Sequence, residues 1–431
     1  LFNGINLMQK NNLLSLNKNT VCIIGLGYVG LPLFLEFSRY FNTIGFDTDL
    51  RKIKSIKKNY DLDFKKNLIT KDPKKINLAD FIIVCLPTPI NIKNKPDLSI
   101  LIKASKLIGK NMKKNSIVVY ESTVYPSTTA SSITSILTGL TPLEHGIPGW
   151  NTYFKDISSV VNILPFKQRF SYNNNKMKET IPDHYIHFSN AAGELSKQML
   201  SLQPNYLSET IYSKHLSKFA IRQSYRNYRE FSNLLESFIT GCRSKNFAYA
   251  YIPTIDSLSH KHGQESKQVF EEAQVIGKTI RNLMKIAELH NATIIVTADH
   301  GFVSNSKKNT ITTRQHPDFQ RMLALPLCGE PRTAFAYVNP DDKKNFQDYI
   351  KTFLSDEITI KDPLAMIDEG WFGVGNAHPD LVSRLGDFVL CMNDNHSIFD
   401  VLENETLPKL KGIHGGWHPD EIKVPIFMTR F

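Results

Sequence analysis

Cysteine is scarce: five residues in 431 (Cys22, Cys85, Cys242, Cys328 and Cys391), none in a CxxC spacing. That excludes a disulfide framework and a cysteine-built zinc module, and the expectation is a reducing, cytoplasmic compartment. No apolar run approaches the ~20 residues a bilayer-crossing helix needs, so no membrane span is expected. The opening stretch LFNGINLMQKNNLLSLNKNT is too interrupted for a signal peptide, and residues 1–19 read as a tail. A basic stripe is missing too. The net charge is +11, but the lysines are dispersed among Asn and Ile, which points away from specific nucleic-acid binding. What is present is core-forming material: 41% hydrophobic residues over a length that accommodates two or three domains.

Residues 20–125 alternate strand and helix signals. TVCIIG is a short apolar run ending in Gly25-Leu26-Gly27-Tyr28-Val29-Gly30. A helical stretch follows to about Tyr40, then a second strand, TIGFD, ending at Asp47. In that order glycines allow a tight turn and close backbone approach, a helix N-terminus receives a pyrophosphate, and the acid takes a ribose hydroxyl pair. ADFIIVCLPTPI and NSIVVYEST add two strands to a parallel sheet.

GLGYVGLPL, GFDTDLRKI, the LPTPI loop, KPDLSILIKASKLIG and VYESTVYP together resemble the NAD-binding domain of the nucleotide-sugar 6-dehydrogenases of the UDP-glucose and UDP-N-acetylhexosamine type. The resemblance implies that Gly25, Gly27, Tyr28, Val29 and Gly30 line the pyrophosphate turn. It puts Asp47 and Arg51 at the adenosine ribose, and Thr88 and Thr123 at the nicotinamide side. It stops near Pro126. The catalytic-cysteine loop of that family does not follow; Cys242, in TGCRSK, has the wrong surroundings. Without an acyl-accepting thiolate the oxidation of an alcohol to an acid has no covalent intermediate, so a complete dehydrogenase is not expected.

From Pro126 a second pattern begins. PSTTASSITSILTGLTPLEHGIPGW reads as a loop and a helix whose first turn carries Ser127, Thr128 and Thr129. Hydroxyls there meet unpaired N–H groups and the positive end of the helix dipole, a setting suited to phosphate as well as to a simple cap. Further on, FAYAYIPTIDSLSHKHG places Asp256 and His260 after a strand, ATIIVTADHGF ends a strand at Asp299-His300, and KGIHGGWHPDEIKVPIFM places His414 in a glycine-flanked loop. Carboxylates and imidazoles leaving strand ends can converge on cations.

This half resembles the type I phosphodiesterases and nucleotide pyrophosphatases of the alkaline phosphatase superfamily. The resemblance implies two zinc ions and a threonine or serine nucleophile. Counting back from Thr138-Gly139 gives Thr129, with Thr128 the nearest competitor. It assigns Asp256, His260 and His414 to one zinc, and Asp299, His300 and Thr129 to the other. His262, His316, His378, His396 and His418 lie outside the motifs and read as surface or substrate-edge residues. PLCGEPRTAFAYV and HPDLVSRLGDFVLCMND read as scaffold, and residues 166–206 as a lid or surface insertion.

One departure stands out. Where the phosphodiesterase family opens with a strand ending in Asp-Gly, whose aspartate completes the second zinc site, this chain has the dehydrogenase-like domain. The expectation is an incomplete second site and a sheet with unpaired edges. Tyr125-Pro126-Ser127-Thr128-Thr129 fits both patterns and marks the join, by recombination or by an error of sequence assembly.

The expected architecture is α/β: a tail over 1–19, a Rossmann-type parallel sheet over 20–125, and an N-terminally truncated alkaline-phosphatase-like sheet domain over 126–431. The function implied is a zinc-dependent phosphodiesterase acting on a small phosphate ester or nucleotide. The alternatives are an NAD-binding dehydrogenase remnant or an inactive hybrid.

Overall fold

The computed structural model of the chain describes residues 20–430 except 28–29, 40, 61–65, 87–98, 114–116, 124–126, 171–180, 182, 188–198, 242–245, 374 and 404. It divides into two compact units, Leu1–Ser122 with Ala287–Ala298 and Pro425–Phe431, and Thr123–Ile286 with Asp299–Val424. Two short pieces from the C-terminal part of the sequence thus lie in the first unit.

The first unit is built on a seven-stranded sheet. Strands β1 (Thr20–Ile24), β2 (Asn42–Phe46), β3 (Asn67–Thr70), β4 (Phe81–Val84) and β5 (Ile117–Thr123) run across it in the order β3-β2-β1-β4-β5, all parallel. β1 is buried from Val21 to Ile24, as an unbroken apolar run demands when both faces of a parallel sheet are covered. The short strand β3 has no counterpart in the sequence reading. The helix Leu50–Asn59 buries Ile53 and Ile56 on one face, and its N-cap Asp49 accepts from the Arg51 and Lys52 N–H groups. Such a cap is worth about 1 kcal/mol.

Beyond β5 the sheet continues with Lys423–Arg430 and then Thr293–Thr297, these two antiparallel. The last strand has a partner on each side, and the sheet ends on Thr293–Thr297, which is paired on one side only among the described residues and leaves Ile295 59% exposed, an unpaired edge of the kind expected.

The second unit holds a three-stranded parallel sheet, Ile221–Tyr225, Met199–Pro204 and Phe247–Ala250. Its central strand is buried at every position. A seven-stranded antiparallel sheet runs Ile358–Lys361, Phe388–Met392, Thr333–Ala336, Cys328–Glu330, Asn151–Phe154, Ser159–Asn162, Lys167–Gln168. The helix Thr129–Thr138 packs Ala130, Ile133 and Leu137 against Phe154, Val161, Met199 and Tyr212. That i, i+3, i+7 stripe anchors the helix. Gly139, in the left-handed region at φ 69°, ends it and donates its N–H to the Ser135 carbonyl.

His378 corrects a sequence expectation. It is buried rather than at the surface, with Nδ1 accepting the Asp380 N–H at 3.1 Å and Nε2 donating to the His184 carbonyl at 3.0 Å. Burial pushes its pKa down to about 4.

Among the described residues no helix is long and apolar enough to cross a membrane. Cys22, Cys328 and Cys391 are in no disulfide, and burial pushes their thiols up to about 12.

Candidate metal centre and nucleophile

Four segments of the second unit converge on one place. Thr129 is the first residue of its helix, and the preceding Thr128 is the N-cap in extended conformation. Its hydroxyl does not cap the helix; it donates to the Glu330 carboxylate. Ser127 Oγ donates to the Gly416 carbonyl at 2.6 Å. Asp256 and His260 lie one turn apart on the helix Thr254–His262, rather than at the strand end the sequence suggested. Asp299 and His300 follow the strand Thr293–Thr297, and His414 follows the short strand Gly412–Ile413. Gly301 is needed beside His300, because a Cβ there would lie 2.0 Å from the Asp420 carbonyl oxygen.

The distances are short. Asp256 Oδ1 lies 3.4 Å from His260 Nε2, 3.7 Å from His414 Nε2 and 3.8 Å from His300 Nε2. Asp299 Oδ2 lies 3.6 Å from His300 Nε2, and Thr129 Oγ1 lies 3.1 Å from the same nitrogen. The His300 and His414 rings stack with centroids 3.6 Å apart.

Each imidazole is oriented the same way. Nδ1 of His260, His300 and His414 meets the carbonyl of Gly412 (2.9 Å), Gly301 (3.0 Å) and Ser127 (3.0 Å). A carbonyl only accepts, so Nδ1 carries the proton and Nε2 presents a lone pair to the centre, the arrangement found behind metal-bound histidines. Asp256 Oδ1 and Asp299 Oδ2 are buried with no hydrogen-bond partner among the described residues. Such bare carboxylate oxygens are costly unless a cation meets them.

The local fields differ from ring to ring. Burial, reinforced by the neighbouring His300, holds His414 well below the ordinary histidine range. Burial works against ionised Asp256, but the neighbouring imidazoles, His260 first, outweigh it and hold its carboxyl below the usual value. For His260 burial opposes protonation, yet the Asp256 carboxylate prevails and raises its pKa. Asp256, His300 and His414 bring their donor atoms within 4.8 Å of one another. With His260, Asp299 and the Thr129 hydroxyl beside them, imidazole nitrogens and carboxylate oxygens make a donor set that fits a divalent ion such as zinc.

Three residues here escaped the sequence reading. Glu330, buried at the end of strand Cys328–Glu330, accepts from Thr128 Oγ1 and from the Trp150 N–H at 2.8 Å. Burial pushes its pKa up to about 7. Arg332 and Glu421 form an ion pair with both side chains wholly buried, 2.7 Å between Nη2 and Oε2. Glu421 also accepts the Gly416 N–H at 2.9 Å, bracing the loop that carries His414. The signal was GEPRTAF: two opposite charges two residues apart inside an apolar hairpin.

In the first unit Gly25 sits at φ +88°, and a Cβ on Gly30 would lie 1.8 Å from the Gly25 carbonyl oxygen, so turn and helix start meet only with glycine at both places. A Cβ on Gly27 would meet nothing within 4 Å among the described residues. Asp47 accepts from the Leu26 N–H, the Asp49 N–H and Lys52 Nζ, each at 2.9 Å. Burial raises its pKa, but those donors outweigh burial and hold it below the ordinary value. Arg51 is exposed and Thr123 ends β5. Tyr28, Val29, Thr88 and Cys242 lie outside the described residues.

The sequence model of the type I phosphodiesterase / nucleotide pyrophosphatase family matches residues 107–417. The chain belongs to that family. The NAD-binding domain of the UDP-glucose/GDP-mannose dehydrogenase family matches residues 19–147. The two matches share residues 107–147, which include Tyr125–Thr129.

Curated relatives match the first part of this phosphodiesterase-family chain. Protein CapL of Staphylococcus aureus is 42% identical over 134 residues, covering 28% of this chain and 31% of that protein. The UDP-N-acetyl-D-glucosamine 6-dehydrogenase of Salmonella typhi is 40% identical over 127 residues, 27% of this chain and 30% of that protein. The chain thus spans about a third of the length of the curated relatives it matches. Among solved structures, murine ectonucleotide pyrophosphatase / phosphodiesterase 5 is similar at TM-score 0.52 and 16% identity, covering 72% of this chain and 78% of that one. An inactive form of it in complex with AMP gives a TM-score of 0.51 at 16% identity, with the same coverage. Phosphonoacetate hydrolase from Sinorhizobium meliloti 1021 gives 0.50 and 16%, covering 81% and 89%. These likenesses concern the fold.

Proposed function

We propose that the second unit hydrolyses phosphate esters or nucleotide phosphoanhydrides, with Thr129 as nucleophile and divalent cations, zinc by donor chemistry, held by Asp256, His260 and His414 and by Asp299, His300 and Thr129. The observation that carries this reading is the gathering of Asp256, Asp299 and His414 around His300, whose bare Nε2 meets the Thr129 hydroxyl. When bound, the cations lower the pKa of that hydroxyl and offset charge on the phosphoryl oxygens.

The chain's own residues supply the rest. The first turn of the nucleophile helix has N–H groups without intrahelical acceptors, and the earliest helical bond runs from Ser132 N to the Thr128 carbonyl. Those groups and the helix dipole favour an anionic phosphoryl group beside Thr129. Thr129 Oγ1 bonds to phosphorus as the ester P–O bond breaks and the alcohol leaves with a proton; water then releases the threonine. The AMP bound by the similar murine structure suits a nucleotide-sized substrate.

A second reading concerns the first unit, whose glycine turn and buried Asp47 suit NAD. We assign it cofactor binding without dehydrogenase chemistry.

Zinc content per chain, measured with turnover of bis(p-nitrophenyl) phosphate, tests the hydrolase reading. Bound zinc and a turnover that falls by about 10³-fold or more in Thr129→Ala are expected for a lost covalent nucleophile. A metal-free, inactive chain would sink the proposal.

A further inference from the structure

We propose that Glu330 is a positioning residue for the Thr129 nucleophile, acting through Thr128. The inference rests on the hydrolase reading above and deepens it.

Glu330 is where the segments that carry the reacting groups meet. Its Oε1 takes the hydroxyl of Thr128, the residue before Thr129, together with the backbone N–H of Trp150. A Cβ on Gly415, the residue after His414, would come within 2.5 Å of the Glu330 Cβ, and Gly415 sits at φ +103°. The His414 loop therefore passes directly against Glu330, an approach that only glycine permits. The same loop is tied to the nucleophile turn twice more, by Ser127 Oγ on the Gly416 carbonyl and by His414 Nδ1 on the Ser127 carbonyl.

Thr128 shows what the contact does. A threonine at an N-cap ordinarily turns its oxygen back onto the N–H of the second or third helical residue. Here no side-chain cap bond forms, because the hydroxyl is given to Glu330. That leaves the first-turn N–H groups uncovered beside Thr129, where an anionic group can use them. The Thr128 backbone is extended, at φ −136° and ψ 135°, and Thr128 is almost fully buried. A side chain fixed from below in this way sets the direction of the next residue. Without Glu330 the hydroxyl is free to fall back on the helix start, occupying the anion-binding donors and tilting Thr129. Displacements of about 1 Å at a nucleophile cost on the order of 10²-fold in rate.

The test uses the full chain with zinc present. Glu330→Ala and Thr128→Ala should each lower kcat for bis(p-nitrophenyl) phosphate by roughly 10- to 100-fold, with KM and zinc per chain unchanged. The double variant should be no worse than the poorer single one, since both remove the same contact. Glu330→Gln, which keeps an acceptor for both donors, should restore kcat to within about threefold of the parent. Additive losses, a fall in zinc content, or a Gln variant as poor as the Ala variant would overturn the proposal. Should the parent chain show no turnover at all, the hydrolase reading fails, and hydrogen exchange over residues 127–132 then decides. Faster exchange there in Glu330→Ala but not Glu330→Gln, with the helix Lys343–Phe353 unchanged, upholds the positioning role; equal exchange in all three overturns it.

Discussion

Thr129 Oγ1 lies 3.1 Å from His300 Nε2, and because His300 Nδ1 donates to the Gly301 carbonyl, it is the threonine that donates to the imidazole. The hydroxyl that ends one element's loop and the ring that follows another's strand are 171 residues apart in sequence. Around that pair the carboxylates of Asp256 and Asp299 have buried oxygens without hydrogen-bond partners among the described residues.

A cation that satisfies those oxygens must stabilise the fold. Zinc at about 100 times its dissociation constant should add about 2.7 kcal/mol to the stability of metal-free protein. Thermal melts with and without zinc check this, and Asp256→Ala should abolish the zinc-dependent rise in Tm.

The Arg332–Glu421 pair braces the His414 loop from a wholly buried position. Removing one partner strands the other charge, so Arg332→Ala or Glu421→Ala should each cost about 3–5 kcal/mol. Replacing both by apolar residues of similar volume should cost less than either. Urea unfolding midpoints of the three variants give the comparison.

His145 gives stability a pH dependence. Its Nδ1 accepts the Ile147 N–H at 3.1 Å, so Nε2 donates to Ser135 Oγ at 3.0 Å and the neutral ring is built in. Burial pushes its pKa down from 6.5 to about 3. Between those values the unfolded chain takes up a proton that the folded chain refuses. The contribution is therefore complete above pH 6.5 and is lost as pH falls toward 3. Urea midpoints at pH 7.5 and pH 5 should differ less in His145→Gln than in the parent.

In the first unit Asp47 receives donors from the glycine turn and from Lys52. Asp47→Ala should weaken NADH binding by about tenfold or more, a loss of about 1.4 kcal/mol. NADH fluorescence enhancement measures it, and Thr129→Ala should leave that signal intact.

Much of the architecture was legible along the chain because its signals are local. The apolar run of β1, the glycine turn held by Gly25 and Gly30, and the parallel pairing of β1 with β2 follow from periodicity and backbone freedom over a few residues. β3 was missed because four residues carry too little pattern to stand out.

The sequence by itself determined that two families' motifs share one chain, since GLGYVG, ADHG and HGG are patterns of neighbouring residues with their own backbone requirements. Only the tertiary structure decided what surrounds the Thr129 hydroxyl. Asp256 and His260 leave a helix rather than a strand, Glu330 takes the hydroxyl of Thr128, and the terminal strand Lys423–Arg430 is paired on both sides. Those outcomes depend on contacts between residues up to hundreds of positions apart, where burial removes water as a partner and each polar atom must find its match in whatever the fold brings near.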